Sequence, residues 1–73
     1  MTVNHLDPKT RALILFAVAC KSQDSMAMKY HFFRSKEIGC TSEELMAVVD
    51  LMRKEKIHFR REIEDVFKEL LVV

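Results

Sequence analysis

His31 is the acid–base candidate with the clearest structural setting in this sequence of 73 residues. It precedes Gly39, which is followed directly by the segment Cys40-Thr41-Ser42-Glu43-Glu44-Leu45, where a helix stop runs into a capped helix start. Histidine exchanges protons readily near neutral pH. A histidine on the last turns of a helix that ends in a tight corner is placed to act as a general acid or base. The alternative is a structural residue at a packed interface.

The two cysteines, Cys20 and Cys40, are the other candidates for chemistry. They form no CxxC motif and no Cys/His pair at zinc-finger spacing, and two cysteines cannot build a disulfide framework. We expect both to be reduced, buried, small apolar residues. Reduced thiols make the cytoplasm the default location. The sequence predicts neither a metal site nor a cofactor.

Charge and hydropathy argue against two classes of partner. The formal net charge is +1, which gives no general attraction to nucleic acid or to an anionic membrane. The basic cluster between Arg53 and Arg61 is interrupted by Glu55 and followed by acidic residues, a pattern typical of a solvated helix face with ion pairs. The apolar run from Ala12 to Cys20 is too short to span a bilayer. We therefore expect a soluble chain that binds neither nucleic acid nor membrane.

Caps and apolar periodicity predict an all-α chain with a single domain over residues 1–73. Asp7 and Pro8 begin a first helix that we expect to end near Lys21. A second helix is expected over residues 25–38, from Ser25 to Ile38. A third begins with the capping box Thr41-x-x-Glu44. These elements make a small helical domain in which His31 lies near the corner at Gly39.

The helical spacing of apolar residues in the third helix continues beyond Met52 as far as Leu71, and no Gly or Pro interrupts it. It predicts one long helix from Ser42 to about Leu71, or two collinear halves that bend between Lys54 and His58, giving three to four helices in all. A continuous helix would be about 45 Å long, more than a small monomer covers. The first helix is also apolar on every face. A homo-oligomer is therefore the most economical explanation of a chain that is 49% hydrophobic.

Three segments together resemble the carboxymuconolactone decarboxylase and alkylhydroperoxidase-D-like family. They are Leu6-Asp7-Pro8-Lys9-Thr10-Arg11-Ala12-Leu13-Ile14, then His31, then the corner from Gly39 to Leu45. Members typically carry an LDPKTRELI-like start, a CxxCxxxH segment and a GxTxEEI-like corner. The resemblance covers roughly Leu6 to Met52. It implies an all-α fold that assembles into trimers, hexamers or other homo-oligomers.

The chain departs from this family at the residues that carry its redox chemistry. The redox branch uses a Glu, a pair of Cys and a His, and the matching positions here are Ala12, Asp24, Ala27 and His31. A thiol peroxidase needs a thiolate nucleophile and a resolving thiol. The resemblance therefore implies no peroxidase activity, unless the two cysteines elsewhere in the chain form a replacement pair, which no spacing supports. We expect Asp24 to be a helix cap.

The decarboxylase branch of the family dispenses with the Cys pair and keeps the histidine. On that interpretation His31 protonates the carbanion-like centre that remains when CO2 is lost. Arg34, one turn further on, would hold the substrate carboxylate through paired hydrogen bonds. The bulky side chains Met28, Phe32 and Phe33 argue against this activity, because they are expected to fill the cavity that a substrate needs.

Two hypotheses follow from the residues and the resemblance together. The favoured one is a non-catalytic ligand-binding or assembly module that forms a homo-oligomer, with a trimer or hexamer preferred. The alternative is a cofactor-free lyase of the lactone decarboxylase type, in which His31 is the acid or base at a pocket between subunits and Arg34 binds the substrate. A small-molecule ligand is a candidate partner beside the chain itself.

Overall fold

The computed structural model describes residues 6–71, which form four α-helices and no strand. In chain order the helices are α1 (Pro8–Ser22), α2 (Ser25–Ile38), α3 (Ser42–Lys54) and α4 (Arg61–Leu71). The all-α prediction is confirmed. The predicted start of each of the first three helices agrees with the structure, and the end of α1 differs by one residue. No helix in this part of the chain is both long and apolar enough to cross a bilayer.

Local side-chain hydrogen bonds fix where these three helices begin. Asp7 accepts a hydrogen bond from the Thr10 amide at 2.7 Å, and Pro8 occupies the first helical position of α1. Thr41 and Glu44 form the predicted capping box: the Thr41 amide donates to the Glu44 carboxylate at 2.8 Å, and the Glu44 amide donates to the Thr41 hydroxyl at 3.0 Å. These contacts satisfy amides that have no partner within a helix.

A residue with left-handed backbone follows three of the helices, one position after α1 and α2 and two positions after α3. These residues are Gln23 with φ 54°, Gly39 with φ 117° and Lys56 with φ 62°. At each end the amides of that residue and of the next one donate back to carbonyls of the last helical turn, which is the Schellman arrangement. Gly39 was expected in this role. The other two positions have side chains, for which a left-handed backbone is unfavourable.

The prediction of one long third helix, or of two collinear halves, is wrong. Helix α3 ends at Lys54, and α4 folds back along it after a connector of residues 55–60. Arg53 forms an ion pair with Glu64, and its guanidinium lies 5.5 Å from the ring centre of Phe67. In a continuous helix positions 53 and 67 would be about 21 Å apart. The left-handed turn at Lys56 makes the reversal.

All four helices contribute to one hydrophobic core. Its fully buried members include Phe16, Met28, Leu45, Val49 and Ile63. Helix α1 packs against α2 and α3, while α4 packs against α2 and α3. The core therefore holds α1 and α2 side by side, which is the arrangement that the candidate site requires.

Gln23 links the connector between α1 and α2 to the connector between α3 and α4. Its side-chain amide donates to the His58 carbonyl at 3.1 Å, and its side-chain oxygen accepts from the Arg60 amide at 2.8 Å. The Arg60 guanidinium donates to the Gln23 carbonyl at 3.0 Å. We call these three hydrogen bonds the Gln23 clasp. They hold the start of α4 against the end of α1.

Candidate functional site

A groove of about 350 Å³ runs between α1 and α2, and it contains both predicted site residues. Its walls come from residues near the start of α1 and along the second half of α2: Pro8, Arg11, Ala12, Leu15, Tyr30, His31, Arg34, Ser35 and Ile38. His31 and Arg34 share this wall because residues three positions apart lie on one face of a helix. The groove is partly open to solvent and partly enclosed by the two helices.

His31 is half-buried in the groove. Its imidazole meets the ring of Tyr30 edge-on, with 5.0 Å between the ring centres. Its backbone carbonyl accepts a hydrogen bond from the Ser35 hydroxyl at 2.6 Å. Across residues 6–71 no carboxylate forms an ion pair or a hydrogen bond with the His31 ring. The ring is thus accessible, and it lacks the acidic partner that commonly orients a catalytic histidine.

Ser35 and Ala12 form the buried floor of the groove, where α1 and α2 are in contact. The Ser35 side chain is fully buried, and its hydroxyl lies within 3.4 Å of the Ala12 carbonyl. Ala12 is buried as well, and its small side chain allows this approach. The position that carries a Glu in the redox branch is therefore occupied here by a packing residue. Neither residue was predicted to line the site, although Ser35 follows His31 at a spacing of one helical turn.

Two arginines, one on each helix, give the groove a positive character. Arg34 on α2 is exposed and lies 3.6 Å from Glu37, its neighbour on the same helix. Arg11 on α1 donates one hydrogen bond to the Leu6 carbonyl at 3.2 Å. A guanidinium has five N–H donors, so both retain donors for a ligand. Arg11 was not among the predicted site residues; the structure adds it because α1 and α2 pack side by side.

The bulky residues expected to fill the cavity do not line it. Met28 and Phe32 are buried in the core, and Phe33 is exposed with its ring edge-on to Phe32 at 5.3 Å. None of these three side chains is among the residues that line the groove, since two of them pack into the core instead. The expectation that they occlude the site is wrong, and the groove is open.

The two cysteines are buried and lie apart, as expected of packing residues. Burial raises the pKa of Cys20 from 9.0 to about 12. Burial, and then the nearby Glu44 carboxylate, also raise the pKa of Cys40. The Cys40 thiol lies 3.7 Å from the Lys9 carbonyl at the start of α1, whereas Cys20 is near its end, about 16 Å away along the helix axis. The pair cannot replace the missing redox cysteines.

Asp24 caps α2, as the sequence predicted. One of its carboxylate oxygens accepts from the amides of Met26 and Ala27, at 3.1 and 3.2 Å. These contacts occupy Asp24 at the position where the redox branch has its first cysteine. Within the described part of the chain, no group of three or more His, Cys, Asp or Glu side chains is placed to hold a metal ion.

The sequence profile of the carboxymuconolactone decarboxylase family matches residues 1–53. The chain belongs to the carboxymuconolactone decarboxylase family. The match includes the groove, the corner after Gly39 and all but the last residue of α3, and it ends before the connector and α4. No curated protein and no solved structure matches the chain. Family membership thus rests on the segment that builds the groove.

Proposed function

We propose that this carboxymuconolactone decarboxylase family protein binds a small carboxylate in the groove between α1 and α2, without peroxidase activity. The observation that carries the proposal is that Arg11, His31 and Arg34 line one open groove. Guanidinium groups form paired, charge-assisted hydrogen bonds with carboxylates. A half-buried imidazole beside them adds a further donor when it is protonated.

Binding without catalysis is favoured by how the histidine is held. No carboxylate within residues 6–71 orients the His31 ring, and Arg34 is more than half exposed, at 57% for its side chain. A catalytic acid acts best at a fixed angle in a site from which water is excluded. The groove of one chain offers neither condition, whereas carboxylate recognition needs only the two cations and the shape.

A lyase activity of the lactone decarboxylase type is the second candidate. It is favoured by the placement of His31 on the same helix face as Arg34. When the C–C bond to a departing carboxylate breaks, its electron pair stays on carbon and CO2 leaves. That carbon then takes a proton, which the protonated imidazole of His31 would supply. No cofactor takes part in this scheme.

Assembly into a homo-oligomer, a trimer or hexamer, is part of the same proposal. Several apolar side chains on the outer faces of α1 and α2 are exposed, among them Ile14, Leu15, Val18, Met26 and Tyr30. Leu15 and Tyr30 also line the groove. Association through this face would cover them and exclude water from His31. Two reduced, buried thiols support a cytoplasmic location.

The test is a thermal-shift and calorimetric titration with a panel of small mono- and dicarboxylates, including γ-lactone carboxylates. We expect at least one to raise the melting temperature of the wild-type protein, by an amount equivalent to about 1 to 3 kcal/mol at ten to a hundred times its Kd. Arg34→Gln should weaken that binding by roughly tenfold or more. His31→Ala should weaken it while leaving the melting temperature of the free protein nearly unchanged.

Lys21→Gln is the matched control, because it removes one exposed positive charge from α1 outside the groove. It should bind the same carboxylate with unchanged affinity. The proposal is wrong if no carboxylate stabilises the wild-type protein, or if Lys21→Gln weakens binding as much as Arg34→Gln. A different outcome would favour the second candidate. If the wild-type protein releases CO2 from a bound lactone carboxylate and His31→Ala does not, the function is that of a lyase.

A further inference from the structure

The segment that joins α3 to α4 has the sequence of a helix and the structure of a turn. No Gly or Pro occurs from Ser42 to Leu71. Met52 and Ile63, both buried, are eleven positions apart, which is three helical turns. In a continuous helix they would therefore share one face with Leu45, Val49 and Phe59. Local sequence thus favours a straight conformation that the folded chain does not adopt.

Lys56 is unfavourable in both conformations. In the observed turn it has φ 62°, a left-handed backbone conformation that residues other than glycine rarely adopt. In a continuous helix the same residue would lie four positions after Met52 and three before Phe59, so that its ammonium group would interrupt the apolar face. Because the cost has a different cause in each conformation, substitutions at Lys56 can shift the balance between the turn and the straight helix in either direction.

The contacts that keep α4 in place are of two kinds. The Gln23 clasp acts on the connector itself and exists only when the connector is turned. The other contacts, the packing of Ile63, Val66 and Phe67 in the core and the ion pair of Lys29 with Glu69 at 3.7 Å, join α4 to the rest of the molecule. An α4 helix that belongs to a second copy of the chain could make this second set equally well.

We propose that α4 is exchanged between two copies of this chain, with residues 55–60 straightening so that residues 42–71 form one helix. Each α4 then occupies the position on its partner that it leaves on its own chain. Exchange of identical elements through a strained connector is an established route to dimers. This dimer goes beyond the proposed carboxylate-binding function, since it uses α4 and leaves the groove between α1 and α2 unchanged.

Isotope-mixed cross-linking tests the proposal. Equal amounts of ¹⁴N- and ¹⁵N-labelled protein are unfolded together, refolded at high concentration and treated with a zero-length carbodiimide, which joins Lys29 to Glu69. Mass spectrometry then measures how many of these linked peptides carry both isotopes. Exchange predicts that about half of the links within a swapped dimer are mixed. An oligomer in which each α4 stays on its own chain gives only links of a single isotope, so a carboxylate-binding oligomer is distinguished from exchange.

Two substitutions at Lys56 should change the fraction of mixed-isotope links in opposite directions. Lys56→Gly relieves the left-handed turn and disfavours the helix, so the mixed fraction should fall roughly fivefold or more. Lys56→Leu completes the apolar face of the straight helix and should raise the mixed fraction. Gln23→Ala should also raise the mixed fraction, because it removes the side-chain hydrogen bonds of the Gln23 clasp. Lys54→Leu, an equivalent change at an exposed position of α3, should have no effect.

Size exclusion after refolding gives a second readout that needs no cross-link. Lys56→Leu should show a dimer that persists on dilution, and Lys56→Gly should show less of it than the wild-type protein. The proposal is overturned if Lys56→Leu and Lys56→Gly give the same dimer fraction. It is also overturned if mixed-isotope links are absent from both the wild-type protein and Lys56→Leu.

Discussion

Burial determines the chemistry of the two thiols. Cys20 has no solvent-accessible surface and Cys40 has 4%, and burial raises the pKa of each. Because the thiolate is the attacking species in peroxide and disulfide chemistry, a thiol that stays protonated is inert at neutral pH. The two cysteines of this chain therefore perform a packing role.

We expect neither cysteine of the folded protein to react with a disulfide reagent within minutes at pH 8, and both to react once the chain is unfolded. The pKa of Cys20 is about 12 when folded and 9.0 ordinarily, so the unfolded chain loses this proton first. Stability should therefore decline as the pH rises above about 9. Cys20→Ala should flatten that decline in melting curves. A fast-reacting thiol in the native protein would contradict this assignment.

Individual residues were predictable where their role is local. The cap at Asp24 and the left-handed Gly39 both follow from residue type and position, and both are as expected. Gln23 and Lys56 adopt left-handed backbone without any local signal. For Gln23, the conformation accompanies hydrogen bonds with the distant residues His58 and Arg60. Arg11 was missed for the same reason: only the packing of α1 on α2 brings it into the groove with His31.

At the scale of elements, helix starts were easier to predict than the break between α3 and α4. A start depends on one side chain within three residues of the amide that it satisfies. The break depends on hydrogen bonds between Gln23 and Arg60 and on the packing of α4 against α2 and α3. Local propensity favours a continuous helix there, and tertiary contacts outweigh it.

We expect the caps to make the helices sensitive to acid. The hydrogen bond from the Thr10 amide lowers the pKa of Asp7, and that from the Thr41 amide lowers the pKa of Glu44. A lowered pKa in the folded state stabilises the protein above the unfolded value and ceases to do so as the pH falls. Melting temperature should therefore drop between about pH 5 and pH 3.

Two variants and a control check this dependence. Asp7→Asn and Glu44→Gln should each melt lower than the wild-type protein at neutral pH and show a smaller loss on acidification. Glu43→Gln, adjacent to the capping box, should follow the wild-type curve. Equal acid sensitivity in all four proteins would show that the caps are not responsible.

For the molecule as a whole, the exposed apolar residues of α1 and α2 are the feature that a single chain leaves unexplained. Val18 is 56% exposed and Met26 is 80% exposed, and both lie on the outer side of the two helices that form the groove. The hydrophobic composition predicted such an excess of exposed apolar surface, although in the single folded chain α3 and α4 replace the long helix that was part of that argument. Association of copies through this face remains a prediction.

Light scattering at low micromolar concentration measures that association directly. We expect the mass of a closed oligomer, such as a trimer or hexamer, for the wild-type protein, and a smaller mass for Val18→Glu, because a buried carboxylate would oppose contact. Leu51→Glu, which alters an equally exposed apolar residue on α3, should keep the wild-type mass. A monomeric wild-type protein would contradict the prediction that copies of this chain associate.

Asp24 has a consequence for any attempt to restore redox chemistry by design. Its carboxylate accepts from two amides at the start of α2, the helix that carries His31 and Arg34. Asp24→Cys, together with Ala27→Cys, would rebuild the thiol pair of the family and at the same time remove that cap, which typically stabilises a helix by about 1 kcal/mol. A reactive thiol and a firmly anchored groove thus compete for one position, so a restored enzyme would need a new anchor for α2 before it gained a nucleophile.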